Sequence, residues 1–351
     1  METTLINKKI VIAGGTGFIG QALAGYFGRE NKIIVISRLS VNSHNNNNKQ
    51  ALLLPAEGYN ITYRRWDGQH LEKHWTSELE GADIFINLAG KSVNCRYTEK
   101  NKGEIMDSRV NATNALGHAI RQCTVPPKMW INAGSATIYR HATDRPQDEE
   151  TGEIENDFSV QVCKNWEASF NSQRTPFTRK LLLRMAITLG NGAVMDAYYR
   201  LLRWGLGGRQ GNGRQMYSWI HITDMARTIE WLYEHKDMEG TYNCAAPYPV
   251  TNDHFMKTLR GLTGNSFGLP APAWLLKIGA WLIGTEAELL LKSRWVLPTK
   301  LLASGFTFRY NHVEEALTEI TKKRDWHEFR FLRFGKPAFP ARQISPSATT
   351  E

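Results

Sequence analysis

Cysteine is scarce in this chain, with four among 351 residues. Cys95, Cys123, Cys163 and Cys244 are widely spaced and form no CxxC pair. That arrangement argues against a disulfide frame or a zinc site, so no metal ligands are expected, and it fits a reducing, cytoplasmic setting. An apolar leader is missing too. METTLINKKIVIAGG runs straight into the first strand pattern, so no signal peptide is expected. No long apolar run is free of charge: the most apolar one, Ala271 to Leu291, is interrupted by Lys277, Glu286 and Glu288. A bilayer-spanning helix would have to bury those charges, so no membrane span is expected.

Signals for nucleic-acid recognition are also lacking, with neither zinc-finger spacing nor an RNP-like aromatic run. The formal net charge is +9, but much of it is local: between Thr321 and Arg342 seven Lys/Arg stand against two Asp/Glu. Such a terminal stretch reads as a solvated or weakly associating segment, and no specific nucleic-acid partner is expected. The rest of the basic balance suits anionic ligands, a phosphorylated cofactor and a small-molecule substrate.

What is present is a repeating α/β pattern. Lys9–Ala13, Lys32–Ser37, Ile61–Trp66, Asp83–Leu88, Lys128–Ala133 and Lys180–Ala186 read as buried strands. Helical patterns separate them at Phe18–Phe27, about Glu99 to Gln122, and around Val160–Ser172. Short β-branched runs alternating with helices predict a Rossmann, doubly wound parallel sheet covered on both faces. After Gly190 helical stretches dominate (Met195–Trp204, Ile222–His235, Thr251–Leu262, Trp274–Leu291). The expected organisation is a dinucleotide-binding domain over 1–190 that recruits later segments, a smaller, mainly helical cap over 191–323, and a basic, disordered tail over 324–351. The Asn-rich stretch Asn42–Asn48 reads as a loop with nothing to pack.

Between the first strand and the first helix lies Gly14-Gly15-Thr16-Gly17-Phe18-Ile19-Gly20. Gly14, Gly17 and Gly20 give the spacing of a dinucleotide fingerprint, for a sharp turn, close approach of backbone to pyrophosphate, and tight helix–strand packing. The helix N-terminus offers free N–H groups and a partial positive charge to the phosphates. Cofactor choice is read at the end of the second strand. An acidic residue there would accept from the ribose 2′-OH of NAD. This chain has Ser37-Arg38 and no Asp or Glu until Glu57. A hydroxyl and a guanidinium suit the 2′-phosphate of NADP, so NADP(H) is the expected cofactor; an ordinary surface arginine is the alternative.

Gly14–Gly20, Asn87–Gly90 (NLAG) and Ser135–Tyr139 (SATIY) together resemble the extended short-chain dehydrogenase/reductases. The likeness sharpens at Arg96-Tyr97-Thr98, Ser108-Arg109, Lys164–Glu167 (KNWE), Gly205–Gly208, Gly211–Arg214 (GNGR), Trp219–Asp224 (WIHITD) and Gly305-Phe306. This set resembles the atypical, epimerase-like YfcH-type branch with a C-terminal DUF1731 domain, here about residues 250–320. The resemblance covers about Lys8 to Ile320. It implies that Leu88 and Ala89 pack near the adenosine and pyrophosphate, that Glu104 and Arg109 face the cofactor, and that Thr188 lies near the nicotinamide. For Glu104 and Arg109 an intrahelical pair or a solvated helix face is the alternative.

Ordinary members of the superfamily combine a Ser/Thr with a YxxxK pair, in which Tyr exchanges a proton with the substrate and Lys lowers its pKa. Ser135 matches the serine position, and Thr137 follows it; both are candidate catalytic residues. Tyr139 matches a tyrosine that is usually structural. In the usual register, anchored on Glu167, Cys163 stands where Lys belongs and Ser159 where Tyr belongs. No Tyr occurs from Arg140 to Met195. Lys164 is one place off, about 100° around the helix. Cys163 reads better as a buried, inert thiol than as a replacement acid. Arg214 is the candidate to meet an anionic substrate, His221 reads as structural or titrating, and Asp224 reads as the N-cap of a helix beginning near Met225.

Two functions fit. One is an NADP(H)-dependent oxidoreductase or epimerase-like enzyme for a sugar- or nucleotide-linked substrate. The other is a non-catalytic NADP(H)-binding sensor or scaffold, favoured by the absent YxxxK. The oligomeric state, a dimer included, stays open.

Overall fold

The structure is a computed structural model that describes residues 3–38, 58–265, 267–283, 286 and 288–322. The Asn-rich stretch 42–48 and the tail from 324 onward lie outside the described residues.

The first half follows the expected alternation: β1 (Lys9–Ala13), α1 (Phe18–Phe27), β2 (Lys32–Ser37), β3 (Ile61–Arg65), the short α2 (Lys73–Thr76), β4 (Ile84–Asn87), α3 (Glu99–Arg121), β5 (Met129–Ser135), α4 (Phe158–Asn171) and β6 (Arg179–Met185). Later come β7 (Ile187–Leu189), α5 (Val194–Arg203), β8 (Met216–Tyr217), β9 (Trp219–His221), α6 (Ile222–Glu234), β10 (Gly240–Cys244), β11 (Val250–Thr251) and α7 (Asn252–Leu262). The described chain ends with α8 (Ala273–Ile283), α9 (Glu288–Leu291), α10 (Thr299–Ala303) and α11 (Val313–Lys322).

Seven strands form one parallel sheet in the order β10-β6-β5-β4-β1-β2-β3. The chain crosses over between β3 and β4, so the order reverses beside β1, and ligands bind at such a switch point outside the carboxyl ends of the strands. The strand sequences are apolar throughout because both faces are covered. Ile10, Ile12, Ile33 and Val35 point to one face, where Leu23 and Phe27 of α1 and Met225 and Ile229 of α6 pack. Val11, Ala13, Ile34 and Ile36 point to the other, against Ala112, Leu116 and Ile120 of α3 and Phe170 of α4. Each Val, Ile, Leu, Met or Phe among them, fully buried, contributes roughly 1.5–3 kcal/mol.

Beyond residue 190 the helical patterns hold, but two elements join the sheet layer. β10 pairs with β6, and α6 lies on the α1 face. The sequence of β10, GTYNC, has little apolar pattern because it forms the edge of the sheet. Within the stretch read as helical from Trp274 to Leu291, the described residues form α8 and α9. The smaller region has its own core of Tyr198, Tyr199, Trp219, Phe255, Leu259, Val313 and Leu317. Among the described residues, no helix is long and apolar enough to cross a membrane.

Candidate functional site

The glycine loop sits at the switch point. Gly14 takes φ +74°, and a Cβ there would lie 2.8 Å from the backbone of Leu88 and Ala89. Its N–H donates to Ile36 O at 2.9 Å, tying the loop to β2. At Gly20 a Cβ would lie 2.3 Å from Gly15 Cα, so helix and loop touch backbone to backbone. Gly17 differs: the nearest atom to a Cβ would be Gly14 O at 3.7 Å. The folded chain itself does not require glycine there. Gly17 is also the N-cap of α1 with no capping side chain, and the first turn carries no acidic residue. The first-turn amides therefore face outward with their partial positive charge unneutralised. Gln21 Nε2 donates to Thr16 O at 2.8 Å and holds the loop's shape, while Ile19 packs on the core.

Ser37 is buried at the carboxyl end of β2, and Arg38 beside it is exposed. Arg65, which the sequence reading did not single out, pairs with Ser37 in register at the end of β3 and is also exposed. Register partners in a parallel pair share a face, so Ser37 and Arg65 stand on the face that carries α1. No spacing rule in the sequence could have found Arg65; strand pairing places it.

Leu88 and Ala89 close β4 against Gly14. Ala89 N–H donates to Asn87 Oδ1 at 3.0 Å, and Leu88 N–H to Ala13 O at 2.8 Å. Glu104 and Arg109 do not pair with each other. The Glu104 carboxylate is exposed and meets Lys91 Nζ, which also donates to Asn101 Oδ1 at 2.7 Å. Arg109 Nη1 donates to Lys91 O at 3.0 Å and Ile105 O at 2.9 Å, and its guanidinium stacks 5.1 Å from the Trp166 ring. Arg109 is thus neither solvated nor in an intrahelical ion pair. Desolvation lowers its pKa from the ordinary arginine value. Thr188, on β7, is buried, and its hydroxyl donates to Ala186 O at 3.4 Å. Two residues on, a Cβ at Gly190 would lie 2.9 Å from Phe18 Cζ, so the end of β7 abuts the start of α1.

Ser135 ends β5, and its hydroxyl accepts the Thr137 N–H at 3.2 Å, opening a tight turn over 136–138. Both side chains are half-buried. The turn packs through Ala136 and Ile138 on Val160 and Cys163 of α4. Tyr139 is not placed for proton transfer: its hydroxyl donates to Asn243 Oδ1 at 3.0 Å and accepts from Arg184 Nη1 at 2.9 Å. Cys163 is buried, and desolvation, with Glu167 nearby, pushes its thiol up to about 12. At that value the thiol keeps its proton at neutral pH.

Arg214 is exposed on the GNGR turn, where Gly211 and Gly213 take positive φ. A different guanidinium, missed in the sequence, is enclosed: Arg294 Nη1 is buried without a hydrogen-bond partner among the described residues. Desolvation lowers the Arg294 pKa, while Glu288 and Asp157 act against that fall. The WIHITD motif is structural, and one expectation about it fails. Asp224 does not cap α6; the cap is His221, whose Nδ1 accepts the Thr223 N–H at 3.2 Å. The helix starts at Ile222, which places Asp224 inside the first turn, fully buried. There it accepts the backbone N–H groups of Arg309 and Tyr310, each at 2.9 Å, and fixes the C-terminal segment. His221 Nε2 meets Glu319 Oε2 at 3.2 Å. Among the described residues no group of three His, Cys, Asp or Glu could hold a metal ion.

Comparison with known proteins agrees with this architecture. The model of the NAD dependent epimerase/dehydratase family matches residues 10–245, and that of DUF1731, a domain of unknown function, matches residues 271–320. The epimerase family protein YfhF of Bacillus subtilis is 32% identical over 317 residues, covering 90% of this chain and 98% of its own. The mouse epimerase family protein SDR39U1 is 29% identical over 320 residues, covering 89% and 99%. Among solved structures, human SDR39U1 (isoform 2) with NADPH superposes with a TM-score of 0.74 at 27% identity, covering 90% of this chain and 99% of that one. A UDP-N-acetylglucosamine 4-epimerase from Methanobrevibacter ruminantium shares the fold, with a TM-score of 0.69 at 18% identity over 91% and 98% of the chains. Fingerprint, sheet order and C-terminal domain thus agree with both family models: the chain belongs to the NAD dependent epimerase/dehydratase family, as an atypical extended short-chain dehydrogenase/reductase with a DUF1731 domain.

Proposed function

We propose that this protein is a cytoplasmic NADP(H)-dependent oxidoreductase of the epimerase-like kind, acting on a sugar-nucleotide-linked small molecule. The observation that carries the reading is the uncapped N-terminus of α1 behind Gly17, with room for a ligand where a Cβ would otherwise sit. Backbone amides there would hold the pyrophosphate of the dinucleotide. Ser37, Arg38 and Arg65 would hold the 2′-phosphate, since guanidinium groups grip phosphate oxygens with paired, charge-assisted hydrogen bonds. Leu88 and Ala89 would border the adenosine side and Thr188 the nicotinamide side. The bound cofactor supplies or accepts the hydride.

In this reading Ser135 orients the substrate. Its hydroxyl accepts the Thr137 N–H and keeps its own O–H to donate. Arg294, rather than the exposed Arg214, would meet an anionic group of the substrate, because a buried guanidinium with an unpartnered N–H is costly until an anion satisfies it. The resemblance in fold to sugar-nucleotide epimerases supports that substrate class.

A second reading, an NADP(H)-binding sensor or scaffold, draws on Ser159 and Cys163 at the YxxxK positions and on the burial of the Cys163 thiol. Both readings require the cofactor. Calorimetric titration with NADPH should give clear binding, and Arg38→Ala should weaken it about tenfold to a hundredfold with NADH affinity unchanged. Equal affinity for NADH and NADPH would overturn the preference. No heat and no thermal shift with NADPH would overturn the whole assignment.

A further inference from the structure

The sequence of α8, AWLLKIGAWLI, is apolar almost throughout, with Lys277 its single charge. A helix hydrophobic on every side is ordinarily buried. Yet Ala273, Trp274, Leu275 and Ile278 are exposed, Trp274 at 64%. Trp274 and Ile278, four residues apart, share one stripe of the helix.

The exposed apolar surface extends past the helix. Leu269 N–H donates to Gly205 O and Ala271 N–H to Arg209 O, each at 2.9 Å. The segment leading into α8 therefore runs alongside the turn that follows α5. Phe267 and Leu269, both exposed, thus stand beside the turn that carries Trp204, itself 65% exposed. Single exposed apolar side chains are ordinary, but a contiguous group of them marks a contact surface.

Charge decides what that surface meets. From Tyr198 to Tyr217 the chain carries Arg200, Arg203, Arg209 and Arg214 and no acidic residue; from Phe267 to Thr285 it carries Lys277 and no acidic residue. All five cations are exposed. Asp253, whose N–H donates to Gly213 O at 3.0 Å, borders the surface and leaves the balance positive. A second copy seated here about a two-fold axis would bring these cations toward their own kind. The stretch from Thr321 to Arg342, with seven Lys/Arg against two Asp/Glu, would meet the same repulsion. A surface of anionic lipid headgroups over hydrocarbon complements both the charge and the apolar side chains.

We propose that this face docks on an anionic lipid bilayer without crossing it. In that arrangement Phe267, Leu269, Trp274 and Ile278 enter the boundary between headgroups and acyl chains. The arginines extend to the lipid phosphates and pair with them. None of these residues belongs to the glycine loop, to Ser37, Arg38 and Arg65, or to the Ser135 turn, so docking stands apart from the cofactor reading.

The test is co-sedimentation of the full chain with extruded vesicles. Vesicles of equal parts phosphatidylglycerol and phosphatidylcholine should bind it at least about tenfold more tightly than phosphatidylcholine alone, and added salt should shrink that difference. Trp274→Ser combined with Ile278→Ser should weaken binding to the mixed vesicles about tenfold or more. Arg203→Gln combined with Arg209→Gln should remove most of the preference for phosphatidylglycerol. Both double variants should keep the parent's unfolding temperature and NADPH affinity, and if the first does not fold, the arginine pair still decides. Absence of binding to the mixed vesicles overturns the proposal. So does binding that both double variants retain in full and that only Arg330→Gln combined with Arg333→Gln removes. A concentration-dependent dimer in sedimentation velocity, dissociated by Trp274→Ser combined with Ile278→Ser and accompanied by no vesicle binding, overturns it and gives the face to a second copy.

Discussion

Glu167 and Arg184 face each other through both carboxylate oxygens, Nε to Oε1 at 2.9 Å and Nη2 to Oε2 at 2.8 Å, and so join α4 to β6. Both side chains are nearly buried, at 11% and 12% exposure. The pair continues through Arg184 Nη1 to the Tyr139 hydroxyl and from there to Asn243 on β10. One polar chain thus crosses the sheet edge from α4 to the last strand. The Glu of the KNWE motif and the Tyr of SATIY are therefore structural partners.

Breaking that chain at one end leaves an uncompensated guanidinium. Glu167→Gln should destabilise the protein by about 3 kcal/mol, read as a fall in the calorimetric unfolding temperature. Arg184→Lys should recover only part of the loss, because Lys lacks the planar fork. A change below about 0.5 kcal/mol in Glu167→Gln would show the pair to be incidental.

The glycine loop separates folding from binding. Gly20→Ala forces a Cβ into the Gly15 backbone and should cost about 1–3 kcal/mol in the ligand-free protein. Gly17→Ala meets nothing closer than 3.7 Å, so its ligand-free stability should stay within about 0.5 kcal/mol of the parent. Its NADPH affinity should nevertheless fall tenfold or more, measured by calorimetry. Unchanged NADPH affinity in Gly17→Ala would place the cofactor elsewhere.

Cysteine chemistry tests whether Cys163 is inert. Burial holds both Cys163 and Cys244 up to about 12, whereas unfolded thiols ionise near 8.5. At pH 8, iodoacetamide followed by peptide mapping should label the half-exposed Cys95 and spare Cys163 and Cys244 until denaturant is added. The folded pKa values are raised, so these thiols leave stability untouched below about pH 8.5 and erode it as pH climbs toward 12. The loss is at most about 1.4 kcal/mol per pH unit for each thiol. Cys163→Ala should therefore lose stability less steeply with pH than the parent over that window. Rapid labelling of Cys163 in the folded protein would return it to the list of candidate acids.

Part of the site was legible in the chain itself. The glycine spacing between KIVIA and the first helix, together with Ser37-Arg38, points to a phosphate-bearing dinucleotide because local backbone geometry and charge suffice for that reading. Where the argument depended on which residues meet across the fold, the chain was silent. Arg65 reaches the end of β2 only through strand pairing. Asp224 has the look of a cap, yet helix start and cap shift to Ile222 and His221 once its carboxylate is drawn to Arg309 and Tyr310, more than eighty residues away.

By itself, the order of apolar and polar residues determined the parallel sheet and the glycine loop at its first strand–helix junction, since each depends on neighbours within a few positions. Only the tertiary structure decided that β10 completes the sheet, that Arg294 Nη1 is buried, and that Tyr97 and Arg109 lie against Phe158 and Trp166 of α4. Those contacts join segments far apart in sequence, and their energies come from burial and charge pairing that exist only after the chain has closed on itself.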